Sequence, residues 1–172
     1  MPVKLTRWRR ILALASLTAS LLVMAPAATQ AAANPNPGVL PPNSHAFGQT
    51  YGAWSAAWWQ YVLAQPASSN PLLDPTGANC GVGQSGNVFF LVGTTSGTVT
   101  RNDCTLPAGK ALFFPLVNIY VDDSPPVIGD GSTADLHACA QALSIPATEL
   151  HATIDGTSLS NLFAYRVLQS IN

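Results

Sequence analysis

Aromatic and aliphatic residues recur at helical spacing between residues 50 and 65. Tyr51, Trp54 and Trp58 fall on one face of such a helix, and Trp59 widens the apolar stripe. Pro66 follows directly and lacks the backbone N–H that a helix interior requires. The pattern therefore predicts an amphipathic helix that ends before Pro66 and carries three of the four tryptophans of the chain.

Two apolar runs, residues 88–92 and 111–121, have the length and the β-branched or aromatic content of buried strands. A turn-like segment and the β-branched residues 98–101 follow the first run and predict its partner strand. Pro115 predicts a bend or an edge position in the second run. Short turns between strands favour antiparallel pairing. We expect the two runs to be neighbours in a buried sheet that the aromatic helix covers.

Two local signals complete the prediction of secondary structure. Ser132 and Asp135 have the spacing of a capping box and predict a short helix over residues 133–142. Asp155 and Gly156 lie between two short strand-like segments and predict a hairpin with a type I′ turn. The expected fold class is α+β, mainly β: an antiparallel sandwich-like sheet with the aromatic helix packed on it and a short second helix.

The first 33 residues have the three parts of a cleavable signal peptide: a basic start, an apolar run over residues 11–24 and small residues around Ala31 and Ala33. The run is shorter than the roughly 20 residues that span a bilayer. A membrane anchor is the alternative, and Arg9-Arg10 is the basis for twin-arginine export as a second route. The sequence predicts a secreted or periplasmic protein without a membrane span after cleavage.

The composition changes beyond the predicted signal. Residues 34–46 are rich in proline and predict an extended, poorly packed lead-in to a single β-rich domain over residues 47–172. Three basic residues and eight acids remain after residue 33, which gives a net charge of −5. That charge argues against nucleic acid, whose binding needs several Lys or Arg contacts to phosphate, and against anionic membrane surfaces.

The three cysteines are Cys80, Cys104 and Cys139. Disulfides persist in the oxidising compartments that an exported protein reaches. Cys80 and Cys104 flank the predicted strand, turn and strand, so we expect a disulfide between them. Cys139 is then unpaired in this chain, either as a buried thiol or as a thiol with an external partner.

Several short motifs resemble known functional signatures, but the residues around them do not support those functions. Residues 81–86 match G-x-G-x-x-G, but a strand is expected after them where a dinucleotide site needs a helix. Asn87 takes the place of the last glycine of a G-x-S-x-G elbow around Ser85. His137 and Cys139 point to different faces of the predicted helix and make a poor chelate. We expect neither a metal nor a cofactor.

Two groups of residues are candidate ligand-binding positions: Trp54, Trp58 and Trp59 on the aromatic helix, and Asp122 and Asp123 in a loop. Exposed tryptophans often contribute to binding surfaces. Packing of the helix against the sheet is the alternative for the tryptophans, and a solvated acidic loop is the alternative for the carboxylates.

Three segments together resemble a family of exported bacterial proteins: YGAWSAAWW at residues 51–59, GQSGNVFFLVG at residues 83–93 and LPAGKALFFP at residues 106–115. The family is uncharacterised, so the resemblance implies export and no particular activity. Its members continue with further strands and a glycine-rich region, which implies that the domain over residues 47–172 is a shortened form.

The functional expectation is a non-catalytic binding module with an extracellular or envelope ligand. One alternative is a secreted hydrolase acting on polysaccharide, which needs two acids in one cleft. Glu149 is the sole glutamate of the chain, so candidate acids are few and we expect no enzyme. The other alternative is a sugar-binding module that uses the Trp/Tyr face of the aromatic helix.

Overall fold

The computed structural model describes residues 35–36, 38–95, 97–125, 129–144 and 146–170. The predicted signal peptide, residues 1–33, lies outside the described residues. Within them, no helix has the length and apolar character needed to cross a membrane.

The first helix, α1, spans Tyr51–Ala64, as its apolar spacing predicts. Thr50 caps its start, where the Thr50 hydroxyl accepts a hydrogen bond from the backbone N–H of Ala53 at 3.1 Å. Gln65 is in extended geometry at the other end, and Pro66 follows. Both ends of α1 are therefore set by residues beside them in the sequence.

The two long apolar runs form neighbouring strands, β1 (Val88–Phe90) and β2 (Ala111–Phe113). Their contact confirms the prediction, but the predicted antiparallel pairing is wrong because the two strands run parallel. The connecting residues 91–110 exceed the dozen or so residues that a parallel crossover needs. Residues 98–101, the predicted partner strand of β1, have irregular backbone instead.

The side chain of Arg101 connects residues 98–101 to other segments of the chain. Its guanidinium group donates hydrogen bonds to the carbonyl oxygens of Asp74 at 2.8 Å, of Pro71 at 3.1 Å and of Val92. The side chain thereby joins the segment to two loops. Nearby, Cys104 forms the predicted disulfide with Cys80, with 5.5 Å between their Cα atoms.

The C-terminal part of the described chain follows its local signals. Helix α2 spans Thr133–Ser144, and the Ser132 hydroxyl accepts from the Asp135 N–H at 3.3 Å. Strands β3 (Thr153–Ile154) and β4 (Thr157–Ser158) form the predicted antiparallel hairpin. Asp155 and Gly156 have the positive φ angles, 49° and 79°, of a type I′ turn. A 3₁₀ helix, Leu162–Tyr165, follows.

The described fold is mixed α+β, with two helices and two small sheets. Each sheet has two strands of two or three residues, so the expected mainly β content is not found in these residues. The sandwich-like sheet is not seen among them and stays a prediction.

Hydrogen bonds join two residues of the proline-rich lead-in to later parts of the chain. Asn36 is only 1% exposed. Its amide donates to the Ser160 carbonyl oxygen at 2.8 Å and accepts from the Ser160 N–H at 2.7 Å. The Tyr51 hydroxyl also donates to the Leu40 carbonyl oxygen at 2.8 Å. These hydrogen bonds fix two points of the lead-in, whose other described residues are exposed or half-buried.

The most deeply buried apolar side chains lie between α1 and β1. Trp58, Val62 and Phe89 are each 1% exposed, and Val88 is also buried. The indole N–H of Trp58 donates to the Leu91 carbonyl oxygen at 2.9 Å and so links α1 to the end of β1. Among the described residues the buried apolar core is therefore small, and Trp58 is its largest fully buried side chain.

The loop before the disulfide is organised by the buried carboxylate of Asp74. It accepts hydrogen bonds from the Asn79 N–H at 2.8 Å and from the N–H and hydroxyl of Thr76 at 2.9 Å and 2.8 Å. The bond from Asn79 is the largest of the effects that lower the pKa of Asp74 from 3.8 to about 2.

We expect acid to destabilise the fold through Asp74. Its pKa is lower in the folded state, so the stabilisation is present above about pH 4, the range of an unperturbed aspartate, and is lost as the pH falls towards about 2. Urea unfolding between pH 7 and pH 2 measures this loss. Asp74→Asn should be less stable at neutral pH and should depend less on pH over that window. A parallel loss in both proteins would contradict the assignment to Asp74.

Candidate functional site

An apolar groove of about 260 Å³ lies beside α1 and β2. Its other walls are the chain after β2, the end of α2, the segments flanking the β3–β4 hairpin, and residues 162–168. The side chains that form it include those of Trp59, Leu116, Val117, Phe163, Arg166 and Leu168. We call this feature the apolar groove.

Several apolar residues of the groove remain open to solvent. Leu112, Leu116, Val117, Phe163 and Leu168 are each 41–49% exposed. Isolated exposed leucines are common on protein surfaces, whereas contiguous apolar patches mark ligand or partner sites. The clustering of these side chains around one concavity makes the groove the candidate functional site.

Two tyrosines line the groove where α1 meets the 3₁₀ helix. The rings of Tyr51 and Tyr165 pack edge to face with their centroids 5.4 Å apart. Burial raises the pKa of Tyr51 above its ordinary value, and the proximity of Tyr165 adds to this effect. The Tyr51 hydroxyl is therefore a neutral hydrogen-bonding group, already engaged with Leu40.

The charge of the groove comes from Arg166. Of the described residues that line the groove, Arg166 alone carries a charge. Its guanidinium carbon lies 5.4 Å from the centroid of the Phe163 ring, and Nη2 donates to the Ser144 carbonyl oxygen at 3.5 Å. The groove thus combines an apolar surface with one cation at a defined place.

The three candidate tryptophans have different surroundings, although the rings of Trp58 and Trp59 pack edge to face with their centroids 5.0 Å apart. Trp58 is buried in the core, and Trp54 is half-buried with its indole N–H donating to the Ala46 carbonyl oxygen at 2.9 Å. Trp59 lines the groove, and its ring centroid lies 5.3 Å from that of Tyr120. Of the three tryptophans, only Trp59 reaches the candidate site.

Asp122 and Asp123 do not line the groove. Asp122 is half-buried and accepts from the Ser124 N–H at 3.1 Å, whereas Asp123 is exposed. Further along the chain, hydrogen bonds from Ser132 lower the pKa of Asp130 and tie it to the start of α2. Asp122 and Asp130 accept local hydrogen bonds, and neither Asp122 nor Asp123 joins Trp59 in the lining of the groove.

The glycine-rich segment at residues 81–86 has a structural role. It leads into β1 and not into a helix, so the context required for a dinucleotide site is missing. Gln84 donates to the carbonyl oxygens of Cys80 at 3.1 Å and Phe90 at 2.8 Å, and it accepts from the Phe90 N–H at 3.0 Å. Its side chain therefore fixes this loop against β1.

Histidines and the remaining cysteine are scattered over the described part of the chain. Cys139 is a half-buried free thiol on α2, and His137 lies 3.1 Å from the Ser170 hydroxyl. His151 and Glu149 are 3.6 Å apart and are both strongly exposed. Among the described residues, no group of three or more His, Cys, Asp or Glu could hold a metal ion.

The sequence patterns had not singled out the groove. Residues 116–119 lie within the apolar run, residues 111–121, that predicts a buried strand, yet β2 ends at Phe113 and the residues beyond it form a groove wall. Arg166 and Phe163 come from a segment without periodicity. No local signal identifies them, because their proximity to α1 arises only in the folded chain.

No protein-family model, curated protein or solved structure matches the chain. The apolar groove and its surroundings therefore carry the functional inference.

Proposed function

We propose that the chain is an exported, non-catalytic binding module that acts in the periplasm or outside the cell, and that the apolar groove binds its ligand. The signal-like first 33 residues and the resemblance to exported bacterial proteins support export. The Cys80–Cys104 disulfide is compatible with an oxidising compartment. We also keep, as part of this proposal, the antiparallel sandwich-like sheet that the sequence predicts.

The observation that carries the binding function is the exposed apolar lining of the groove. Binding sites for small molecules are typically concave and mostly apolar, with a few placed polar groups. Here Arg166 and the two tyrosines share a lining that is otherwise mostly apolar. Leaving this surface in water costs the free energy of apolar hydration, which a bound ligand recovers.

A polysaccharide hydrolase is less well supported. Glycoside hydrolysis uses two carboxyl groups across one cleft. The described lining of the groove contains no carboxylate. Asp74 is held by loop hydrogen bonds, and Glu149 is exposed beside His151. Binding without catalysis is therefore favoured over hydrolysis.

Sugar binding is the second candidate, and one observation favours it. Trp59 and Tyr120 form an aromatic pair at 5.3 Å, and Tyr120 is 43% exposed. Sugar rings present apolar faces that stack on such side chains. Trp58 is buried in the core, so the platform is smaller than the expected face of three tryptophans.

A substitution in the groove tests the proposed site. We expect the uncharged dye Nile red to bind the full chain with enhanced emission, and Leu116→Asp to weaken that binding at least about tenfold, because it places a charge in the apolar lining. Leu116 is 44% exposed, so the fold should tolerate the change. Fluorescence titration measures the affinity.

Leu73→Asp is the matched control, since Leu73 is 56% exposed and lies outside the groove. Equal binding by both variants would refute the groove as the site. Retention of a glycan on an array, without dye binding, would favour the sugar-binding alternative.

Export has its own test: the N-terminus of protein recovered from the periplasm or medium should start just after Ala31 or Ala33.

A further inference from the structure

The three cations beyond residue 33 have different surroundings. Arg101 donates to three loop carbonyl oxygens, and Lys110 donates to the Gly86 carbonyl oxygen at 2.7 Å. Arg166 alone of the three lines the apolar groove. The groove therefore carries a positive charge on a chain whose net charge beyond residue 33 is −5.

The guanidinium group of Arg166 has more N–H donors than its described hydrogen bond uses. A guanidinium group has five N–H donors. The described contact with a protein oxygen, from Nη2 to Ser144, is 3.5 Å long and weak. The side chain is exposed, and its planar group lies over the Phe163 ring. A carboxylate can thus approach the fork of Arg166 and accept two parallel hydrogen bonds.

The other residues that line the groove restrict the kind of group to which that carboxylate can be attached. A bound peptide would bring backbone N–H and C=O groups that need partners, which a mostly apolar lining supplies poorly. A volume of about 260 Å³ lies just below the usual range of ligand pockets, about 300–1,000 Å³. A hydrocarbon chain without internal polar groups fits both restrictions.

We propose that the apolar groove binds a free long-chain carboxylate, with the hydrocarbon chain along the apolar lining and the carboxylate on Arg166. This inference rests on the proposed function, because it assigns a ligand class to the same groove. It adds one requirement that the proposed function does not make: the ligand carries a negative charge at one end.

Isothermal titration calorimetry of the full chain with decanoate and with 1-decanol tests the charge requirement. Decanoate should bind about tenfold more tightly than 1-decanol, the scale of a charge-assisted hydrogen bond at an exposed arginine. Arg166→Gln should remove that preference, and Arg166→Lys should retain part of it. Lys110→Gln, a cation outside the groove, should keep the wild-type preference.

The length of the hydrocarbon chain tests the apolar part. Each added methylene contributes about 0.8 kcal/mol of transfer free energy, equivalent to about a fourfold gain in affinity. Octanoate, decanoate and dodecanoate should therefore bind with increasing affinity until the groove is filled. The gain should be absent in Leu116→Asp and present in Leu73→Asp.

Charge reversal provides a test that does not depend on loss of binding. Arg166→Glu should bind decylammonium more tightly than decanoate, the reverse of the wild-type order. Equal binding of decanoate and 1-decanol to the wild type would overturn the carboxylate inference and leave the binding groove intact. Absence of any binding, together with loss of the Nile red signal, would overturn both.

Occupation of the groove by a second copy of the chain, or by a membrane surface, would give different results. A second copy in the groove would appear as dimerisation that Leu116→Asp abolishes and Leu73→Asp preserves, with decanoate unable to bind the dimer. Binding to phosphatidylglycerol vesicles without binding of monomeric decanoate would indicate a membrane surface. Either result would overturn the inference.

Discussion

Replacing Trp58 with alanine is expected to lower the free energy of unfolding by about 3–5 kcal/mol, the range for removal of a large buried aromatic side chain. Trp58 is 1% exposed and lies in a small core with Val62 and Phe89. The substitution leaves a cavity, and it also removes the donor that satisfies the Leu91 carbonyl oxygen. Small domains have only about 5–15 kcal/mol of stability, so a large share is lost. Urea unfolding followed by circular dichroism measures the change.

The control for this prediction lies on the same helix. Leu63 is 54% exposed, and Leu63→Ala should change the free energy of unfolding by about 0.5 kcal/mol or less. Similar losses in both variants would contradict the assignment of the core to the face of α1 that carries Trp58. Trp58→Phe should fall between the two, because it retains part of the volume without the indole donor.

Removing the disulfide is the second large effect. The double variant Cys80→Ala and Cys104→Ala is expected to lose about 3–4 kcal/mol of stability, since the bond closes a loop across a sequence separation of 24 residues. The cross-link limits the unfolded chain, and in the folded chain it joins the loop of Asp74 to the segment of Arg101. Urea unfolding of the oxidised wild type against the variant measures the loss.

Cys139→Ala is the matched control for the disulfide. Cys139 is a half-buried free thiol on α2, where alanine is a good helix former. We expect the change to cost about 1 kcal/mol or less, and adding a reductant should destabilise this variant as much as the wild type. A reductant without effect on the wild type would contradict the stabilising role of the Cys80–Cys104 bond.

The helices and the hairpin were predictable because their signals are local. Thr50 and Pro66 bound α1, Ser132 caps α2, and Asp155-Gly156 forms the turn between β3 and β4. Each signal acts through a cap, a missing N–H or a positive φ angle within a few residues. Such effects depend little on the rest of the fold, so the corresponding elements appear where the sequence places them.

The pairing of strands was only partly predictable. The two apolar runs are neighbours, as their shared need for burial predicts, but the direction of pairing depends on the path of residues 91–110. That path is held by Arg101 and by Cys104, whose partners lie more than twenty residues away along the chain or on another loop. The predicted disulfide is confirmed, although the hairpin that motivated it does not form.

The candidate site was the least predictable feature. Trp58 and Trp59 are adjacent in the sequence, yet one is in the core and the other lines the groove. Successive residues on a helix are about 100° apart, so an aromatic stripe wide enough to include both must divide between two environments. Which residue enters the core is decided by what packs against each side of α1.

The sequence alone determined where α1 begins and ends, where α2 begins and which turn closes the β3–β4 hairpin. It also predicted the correct cysteine pair, although the hairpin behind that prediction does not form. Only the tertiary structure decided the parallel direction of β1 and β2, the bond between Asn36 and Ser160, and the apolar groove with Arg166 on it. The physical reason is the sequence separation of the residues that interact. Caps and turns act between neighbouring residues. Pairing direction and concavities depend on contacts between segments that are distant along the chain, and no local sequence pattern specifies which distant segments meet.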